Sequence, residues 1–204
     1  MPENDHAHPH RTLPEDGSFT PNARAPYVEL GLCTCFSFLR GASDAVDLAQ
    51  AAWALGYDCL GVADLNTLAG VVRIWSQARK AALRPLIGAR IELVGGEVFL
   101  AYPTDRQAYG RLSRLISKGR MADVDGNWQA KGACDLTLSD LATHSDGLIL
   151  IAVPNEDVAV FGRGLSQLCK ALPQLHYLAA SYLYRGNDHA RINRLDALAG
   201  QGGL

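Results

Sequence analysis

The sequence predicts an α/β fold in which parallel strands are covered by outer helices. Short apolar runs of strand length alternate with longer amphipathic stretches along most of the chain. The short runs are apolar at successive positions, as expected for strands buried on both faces of a parallel sheet. Glycine, proline and short polar residues separate the runs where turns and helix caps are expected. No internal repeat is evident.

The first half of the chain contains three predicted strands and two predicted helices. Ser43 provides the N-cap of the first helix, and Gly56 ends it. The strand after this helix is almost wholly apolar, which is typical of a buried position. The predicted elements are strands at residues 27–33, 59–63 and 85–94, and helices at 43–56 and 67–83.

The second half begins with a hairpin, because Gly95 and Gly96 form a tight turn between two apolar runs. Thr104 and Gln107 have the spacing of a capping box and open a helix that reaches about residue 118. Residues 119–135 are predicted as a loop. The remaining elements are a short helix from residue 137, strands at 97–102, 147–153 and 174–184, and helices at 157–172 and 188–199.

Composition places the chain among ordinary globular proteins. Of 204 residues, 48% are apolar and 20% are charged, and the net charge is −2. This charge argues against a protein built mainly to bind nucleic acid. However, residues 70–120 hold ten Lys and Arg against three Asp and Glu. Such asymmetry is typical of a surface that faces a polyanion within a larger assembly.

The termini and targeting signals give a second set of expectations. No apolar run reaches the roughly 20 residues that span a bilayer, and the N-terminus lacks the apolar segment of a secretion signal. We therefore expect a cytoplasmic protein with no membrane partner. Residues 1–25 are predicted as a disordered arm whose histidines do not form a metal site. The turn at residues 200–204 would normally lead into another strand, so we expect the 26–204 domain to be incomplete and the chain to be a fragment.

The cysteines and histidines do not predict a catalytic centre. Five cysteines without an export signal are expected to be reduced thiols, and the Cys33–Cys35 pair lacks the two further ligands of a zinc site. His144, His176 and His189 are interpreted as surface or core residues rather than ligands. No phosphate-binding loop, dinucleotide fingerprint or nucleophile elbow is present.

A basic stripe lies on the predicted helix that ends near residue 118. Arg111, Arg114 and Lys118 share one helix face, opposite the apolar residues of that helix. The stripe is interpreted first as the solvated face of an amphipathic helix. Contact with a nucleic-acid backbone is the alternative, and it would make binding depend on salt concentration.

Three segments resemble the opening of a PHP (polymerase and histidinol phosphatase) domain. They are residues 27–43, 60–70 and 84–90. In that family the matching runs read roughly His-Leu-His-Thr-x-Phe-Ser, Thr-Asp-His-Gly and Ile-Gly-Cys-Glu, and they carry metal ligands. The resemblance implies a distorted β/α barrel with outer helices.

The metal-ligand positions of this family are largely replaced here. They hold Gly31, Cys33, Leu65 and Arg90, while Asp64 keeps its family identity. Glycine and leucine side chains offer no lone pair, and arginine is a permanent cation that repels a metal ion. We therefore expect these positions to be vestigial, with no metal or other cofactor and no catalytic residue in this chain. Asp64 is interpreted as an N-cap or as an ion-pair acceptor, with Arg90 as one candidate partner.

Five further segments resemble the start of bacterial error-prone DNA polymerases, which are C-family relatives of the replicative polymerase III alpha subunit. They are residues 36–43, 64–73, 100–106, 109–115 and 134–138. This resemblance implies a parent enzyme that transfers deoxynucleotides on damaged templates, with two Mg²⁺ ions held by aspartates beyond residue 204. It implies DNA, the other polymerase domains, a sliding clamp and damage-inducible accessory proteins as partners.

Two alternatives from other functional classes stay open. The chain could be a metal-dependent phosphoesterase or exonuclease that uses atypical ligands such as Cys33 and Asp64. It could also be a stand-alone interaction module from a truncated gene. Metal content distinguishes the first alternative, and the coding sequence after codon 204 distinguishes the second.

Overall fold

The structure is a computed structural model that describes residues 27–204. The predicted arm at residues 1–25 lies outside the described residues. Within the described part, no helix combines the length and the apolar character that crossing a bilayer requires. The chain divides into two compact units, and the first contains residues 27–64 and 69–87. The second contains residues 65–68 and 88–204.

The elements alternate as the sequence predicts, which confirms the α/β fold class. They are β1 (Glu29–Leu32), α1 (Ala45–Ala54), β2 (Cys59–Leu65), α2 (Val71–Lys80), β3 (Arg84–Glu92), β4 (Val98–Pro103), α3 (Arg106–Met121), α4 (Leu138–His144), β5 (Leu148–Val153), α5 (Val158–Ala171), β6 (Leu175–Leu178) and α6 (Asp188–Gly202). The bounds of β2 and β3 cross the division between the two units, β2 by its last residue, Leu65.

The first unit is built on the parallel pair β1 and β2, with α1 and α2 packed on each other. Its core is formed by small and branched side chains, including Ala52, Val62 and Ile74. The N-cap of α1 is Asp44, whose carboxylate accepts the Val46 N–H at 2.7 Å. The prediction of Ser43 as the cap was therefore wrong by one residue.

The second unit contains the order β3-β4-β5-β6. The predicted hairpin between β3 and β4 is confirmed, with Glu92 opposite Val98. Strand β5 also runs antiparallel to β4, and β6 runs parallel to β5. The sheet is thus mixed rather than uniformly parallel: the hairpin reverses the chain, the β4–β5 connection reverses it again, and β4 alone runs against β3, β5 and β6.

Helices α3 and α4 pack on this sheet through a continuous apolar core that includes Phe99 and Leu112. Asp105 caps α3 by accepting the Ala108 N–H at 2.7 Å, so the predicted start at Thr104 was one residue early. The predicted start of α4 is confirmed, and it forms a capping box.

Candidate functional site

The carboxylate of Asp64 is the centre of a hydrogen-bonded loop in the first unit. Asp64 lies near the end of β2 and only 2% of its surface is exposed. Its Oδ1 accepts the backbone N–H of Thr34 at 2.7 Å and the hydroxyl of Ser37 at 2.6 Å. Its Oδ2 accepts the hydroxyl of Thr34 at 2.8 Å. Both oxygens therefore accept hydrogen bonds from the loop that follows β1.

This loop, residues 34–41, is tightly folded around the carboxylate. The Ser37 N–H donates to the Thr34 carbonyl at 3.0 Å, and the Gly41 N–H donates to the Ser37 carbonyl at 2.8 Å. A side chain at Gly41 would overlap the Thr34 carbonyl, and a Cβ at Gly70 would lie 2.6 Å from Asp64 Oδ2. The two glycines are required by close approach, and the loop leaves no space beside Asp64 Oδ2 on the Gly70 side.

Asp64 is thus a structural hydrogen-bond acceptor. It does not cap a helix, because the N-cap residue of α2 is Gly70 and that helix has no side-chain cap. The suggested pairing of Asp64 with Arg90 involves residues of both units and stays a prediction.

The positions of Gly31 and Cys33 offer little to a metal ion. The Gly31 N–H donates to Glu29 Oε1 at 2.7 Å, and the Tyr27 hydroxyl donates to Glu29 Oε2 at 2.8 Å. The hydrogen bond to Glu29 raises the pKa of Tyr27 to about 12, because a neighbouring carboxylate disfavours the phenolate. The Cys33 thiol lies 3.6 Å from the Ala63 carbonyl oxygen, a contact in which the thiol is the weak donor.

In the second unit, Asn66 follows Leu65 directly in the chain and is hydrogen-bonded to the strand that contains Arg90. Asn66 adopts φ 46°, and its amide receives the Glu92 N–H at 3.0 Å and donates to the Glu92 carbonyl at 3.2 Å. The Asn66 N–H donates to the Arg90 carbonyl at 2.8 Å. The Arg120 guanidinium donates to the Asn66 carbonyl at 2.9 Å. Asparagine tolerates this left-handed conformation better than most residues do.

These residues do not fit a divalent-metal centre. Leu65 has no donor atom, and Arg90 brings a cation with a buried Nε atom that makes no hydrogen bond within residues 27–204. Divalent metals in such sites need several imidazole, carboxylate or thiolate ligands. Across residues 27–204, no three or more His, Cys, Asp and Glu side chains are grouped so that they could hold an ion.

The basic stripe on α3 is largely neutralised by acidic partners. Arg111 lies 3.2 Å from the Asp146 carboxylate, and Lys118 is paired with Asp140. Arg114 is exposed and has no ion pair within the described part of the chain. The structure therefore gives two of the three residues a structural role, while nucleic-acid contact through the stripe stays a prediction.

The remaining chemistry-bearing side chains are dispersed. His144 ends α4 with its Nδ1 2.8 Å from the Asp140 carbonyl oxygen, and His176 is exposed in β6. The His189 ring lies 5.9 Å from that of Tyr182, in an exposed aromatic cluster. All five cysteines are free thiols.

Asp188 is a buried acid that the sequence did not lead us to expect. Its carboxylate accepts the backbone N–H groups of Leu183 at 2.6 Å and Arg185 at 2.9 Å, although only 2% of the residue is exposed. These bonds hold residues 179–187 as a loop, whereas the sequence predicted a strand through residue 184. The signal was the acid at the first position of a predicted helix, where it can bind preceding backbone amides.

Comparison with known proteins places these observations in a family. A family model for the PHP domain matches residues 29–181. The chain is 41% identical over 174 residues to an error-prone DNA polymerase of Caulobacter vibrioides, covering 84% of this chain and 16% of the relative. It is 43% identical over 180 residues to an error-prone DNA polymerase of Bradyrhizobium diazoefficiens, covering 85% and 16%. The chain spans about a sixth of the length of these curated relatives.

Solved structures share the fold at low sequence identity. A crystal structure of a protein from Bifidobacterium adolescentis, described as a metal-dependent phosphoesterase, has a TM-score of 0.63 at 15% identity and covers 91% of this chain and 86% of its own. An amidohydrolase from Chromobacterium violaceum, with bound sulfate and no metal, has a TM-score of 0.60 at 13% identity and covers 87% and 84%. At these identities the likeness shows the fold alone. The chain belongs to the PHP domain family, and it matches the N-terminal region of bacterial error-prone DNA polymerases.

Proposed function

We propose that this chain is a non-catalytic PHP scaffold domain of an error-prone DNA polymerase. The parent enzyme would act in the cytoplasm in the response to DNA damage. It would transfer deoxynucleotides on a damaged template, using Mg²⁺ held by aspartates of its own polymerase domain. Its partners would be DNA, a sliding clamp and damage-inducible accessory proteins.

The polymerase assignment rests on sequence identity. Identities of 41% and 43% extend over 84% and 85% of this chain, and both relatives are error-prone DNA polymerases. Because the matched segment is only 16% of each relative, template-directed synthesis belongs to the rest of such a polypeptide. This chain would contribute a folded support for that machinery.

The scaffold assignment rests on the hydrogen bonds that the Asp64 carboxylate accepts from the 34–41 loop. A metal ligand must direct a lone pair at the ion, whereas three of the about four lone-pair positions of this carboxylate accept hydrogen bonds from Thr34 and Ser37, and Gly70 packs against Oδ2. Catalysis of phosphoester hydrolysis at neutral pH usually depends on a metal ion that activates water. The other ligand positions hold Gly31, Cys33, Leu65 and Arg90. We therefore expect too few metal ligands in this chain for hydrolysis by metal-activated water.

Two measurements test the two parts of this proposal. For the scaffold part, purified protein is incubated with Mn²⁺ or Zn²⁺, and its metal content and its hydrolysis of bis-p-nitrophenyl phosphate are measured. We expect no stoichiometric metal and no hydrolysis above background. Hydrolysis that disappears in both Cys33→Ser and Asp64→Asn would instead establish a phosphoesterase with atypical ligands.

For the polymerase part, the complete polypeptide that contains this chain is assayed for primer extension on undamaged and abasic templates with Mg²⁺. Extension past the lesion is expected. A complete polypeptide without extension activity contradicts the polymerase assignment and favours a stand-alone interaction module.

A further inference from the structure

Two adjacent apolar side chains protrude from the loop that Asp64 holds. Phe38 is 83% exposed and Leu39 is 90% exposed, although both belong to a loop whose base is buried. Exposed apolar residues are common singly, but contiguous ones on a rigid support are typical of contact surfaces. Together with the half-exposed Phe36 they form a surface that we call the 36–39 knuckle.

The knuckle is held in its exposed position by the backbone. Ser37, in its centre, is 1% exposed and donates its hydroxyl to Asp64. Leu39 adopts φ 62°, a conformation that is unfavourable for a branched side chain, and the Arg40 N–H donates to the Ser37 carbonyl at 2.9 Å. Phe38 and Leu39 therefore cannot turn inward without breaking the hydrogen bonds of Ser37.

One side of the knuckle continues onto the first turn of α2. The Arg73 guanidinium lies 5.6 Å from the centroid of the Phe36 ring, which places a cation on that ring face. Val72, in the same turn, is 76% exposed. The knuckle is thus an apolar projection with a cationic flank, suited to a pocket that is apolar at its base.

The size of the knuckle indicates what covers it. Phe38 and Leu39 together offer about 300 Å² of apolar area, whereas a stable complex between separate chains buries about 800 Å² on each partner. A second copy of this chain would gain too little from this contact. A pocket in the same polypeptide needs much less area, because covalent linkage supplies a high effective concentration.

We propose that the 36–39 knuckle docks into an apolar pocket of another domain of the same polymerase polypeptide. This inference rests on the proposed function, since relatives of this chain are about five times as long, from matched shares of 84% and 85% of this chain against 16% of each relative. In it, Asp64 is a positioning residue: at a place where the PHP family binds metal, its carboxylate shapes an interdomain contact.

Hydroxyl-radical footprinting with mass spectrometry tests the docking. Oxidation of the peptide that contains Phe38 and Leu39 is measured in the 204-residue chain and in the complete polypeptide. Trp128 is the internal reference, because it is equally exposed at 83%. We expect the ratio of knuckle to Trp128 oxidation to fall about fivefold in the complete polypeptide, as burial at an interface core excludes water.

The outcomes separate this inference from the polymerase assignment. An unchanged oxidation ratio in a polypeptide that extends primers overturns the docking and leaves the assignment intact. A complete polypeptide that does not extend primers overturns the polymerase assignment, and with it the proposal that the knuckle docks into another polymerase domain. A Phe38→Ser/Leu39→Ser variant supplies a second readout: we expect faster proteolysis between the domains of the complete polypeptide, with unchanged melting of the 204-residue chain. Equal proteolysis rates would overturn the docking as well.

Discussion

Replacement of Asp64 by alanine is the most informative perturbation of the 34–41 loop. It removes the acceptor of three hydrogen bonds, two from Thr34 and one from Ser37, in a region where all three residues are at most 2% exposed. The two hydroxyl groups can rotate toward other acceptors. The Thr34 N–H cannot, because its direction is fixed by the backbone, and it would be left buried without a partner.

The expected loss in the free energy of unfolding follows from these bonds. A hydrogen bond to a charged group contributes about 1.5–3 kcal/mol, and an unsatisfied buried donor costs about 1–3 kcal/mol. Removing Asp64 also removes the desolvation cost of a buried ion, which offsets several kcal/mol of the gross loss. We expect a net loss of about 3 kcal/mol for Asp64→Ala and about 1–2 kcal/mol for Asp64→Asn, whose amide oxygen still accepts the Thr34 N–H.

Urea unfolding followed by tryptophan fluorescence measures this loss, with Asp44→Ala as the matched control. That control removes the N-cap bond to Val46 at the start of α1, which is worth about 1 kcal/mol. A loss for Asp64→Ala no larger than that for Asp44→Ala would contradict the structural role of the Asp64 carboxylate. A more stable Asp64→Ala protein would show that the desolvation cost of the buried carboxylate exceeds the stabilisation from its hydrogen bonds to the loop.

Three further predictions concern single positions. Gly41→Ala should lower the free energy of unfolding by about 1–3 kcal/mol, because its Cβ would overlap a main-chain carbonyl; an unchanged urea midpoint would contradict the loop packing. Burial raises the pKa of Asp140, but hydrogen bonds from Lys118 and from the helix cap outweigh it and lower the pKa overall. The contribution of Asp140 to the free energy of unfolding is therefore complete above its pKa in the unfolded chain, about 3.9, and is lost as the pH falls through its pKa in the folded protein. The free energy of unfolding of Asp140→Asn should therefore fall less steeply with decreasing pH than that of the wild type. Equal pH dependence in the two proteins would contradict this. Absorbance titration should place the pKa of Tyr27 at about 12 and should show it lowered toward the ordinary value of about 10 in Glu29→Gln, whereas a wild-type pKa near 10 would contradict the hydrogen bond to Glu29.

The order of the elements could be predicted because its signals are local. Apolar runs, glycine turns and cap residues each act within a few positions, and the Gly95–Gly96 hairpin is the clearest example. The two missed caps have a physical reason. Ser43 and Asp44, like Thr104 and Asp105, are neighbouring cap formers, and the extended backbone of the second member, at φ −148° and ψ 178° for Asp105, decides between them.

The partners of the site residues could not be predicted because they are distant in sequence. Ser37 and Asp64 are 27 residues apart, and only the parallel pairing of β1 with β2 brings their loops together. Similarly, the sequence of α3 alone does not show that its basic stripe has acidic partners. Its acidic partner Asp140 lies 22 residues beyond Lys118.

The sequence alone did indicate the chemical character of the metal positions. The side chains of Gly31, Leu65 and Arg90 have no lone pair for a metal ion in any conformation, so this expectation does not depend on the fold. The structure adds that Asp64, the one retained acid, accepts hydrogen bonds with both oxygens.

Isothermal titration of the 204-residue chain with Mn²⁺ at neutral pH, repeated with Asp64→Asn, tests whether the Asp64 carboxylate holds the 34–41 loop or a metal ion. If Asp64 serves the loop rather than an ion, neither protein will show saturable heat, and melting temperatures will not rise with added metal. Saturable binding in the wild type that is lost in Asp64→Asn would mean that the carboxylate releases Thr34 and Ser37 to hold a cation, and the scaffold account would be wrong.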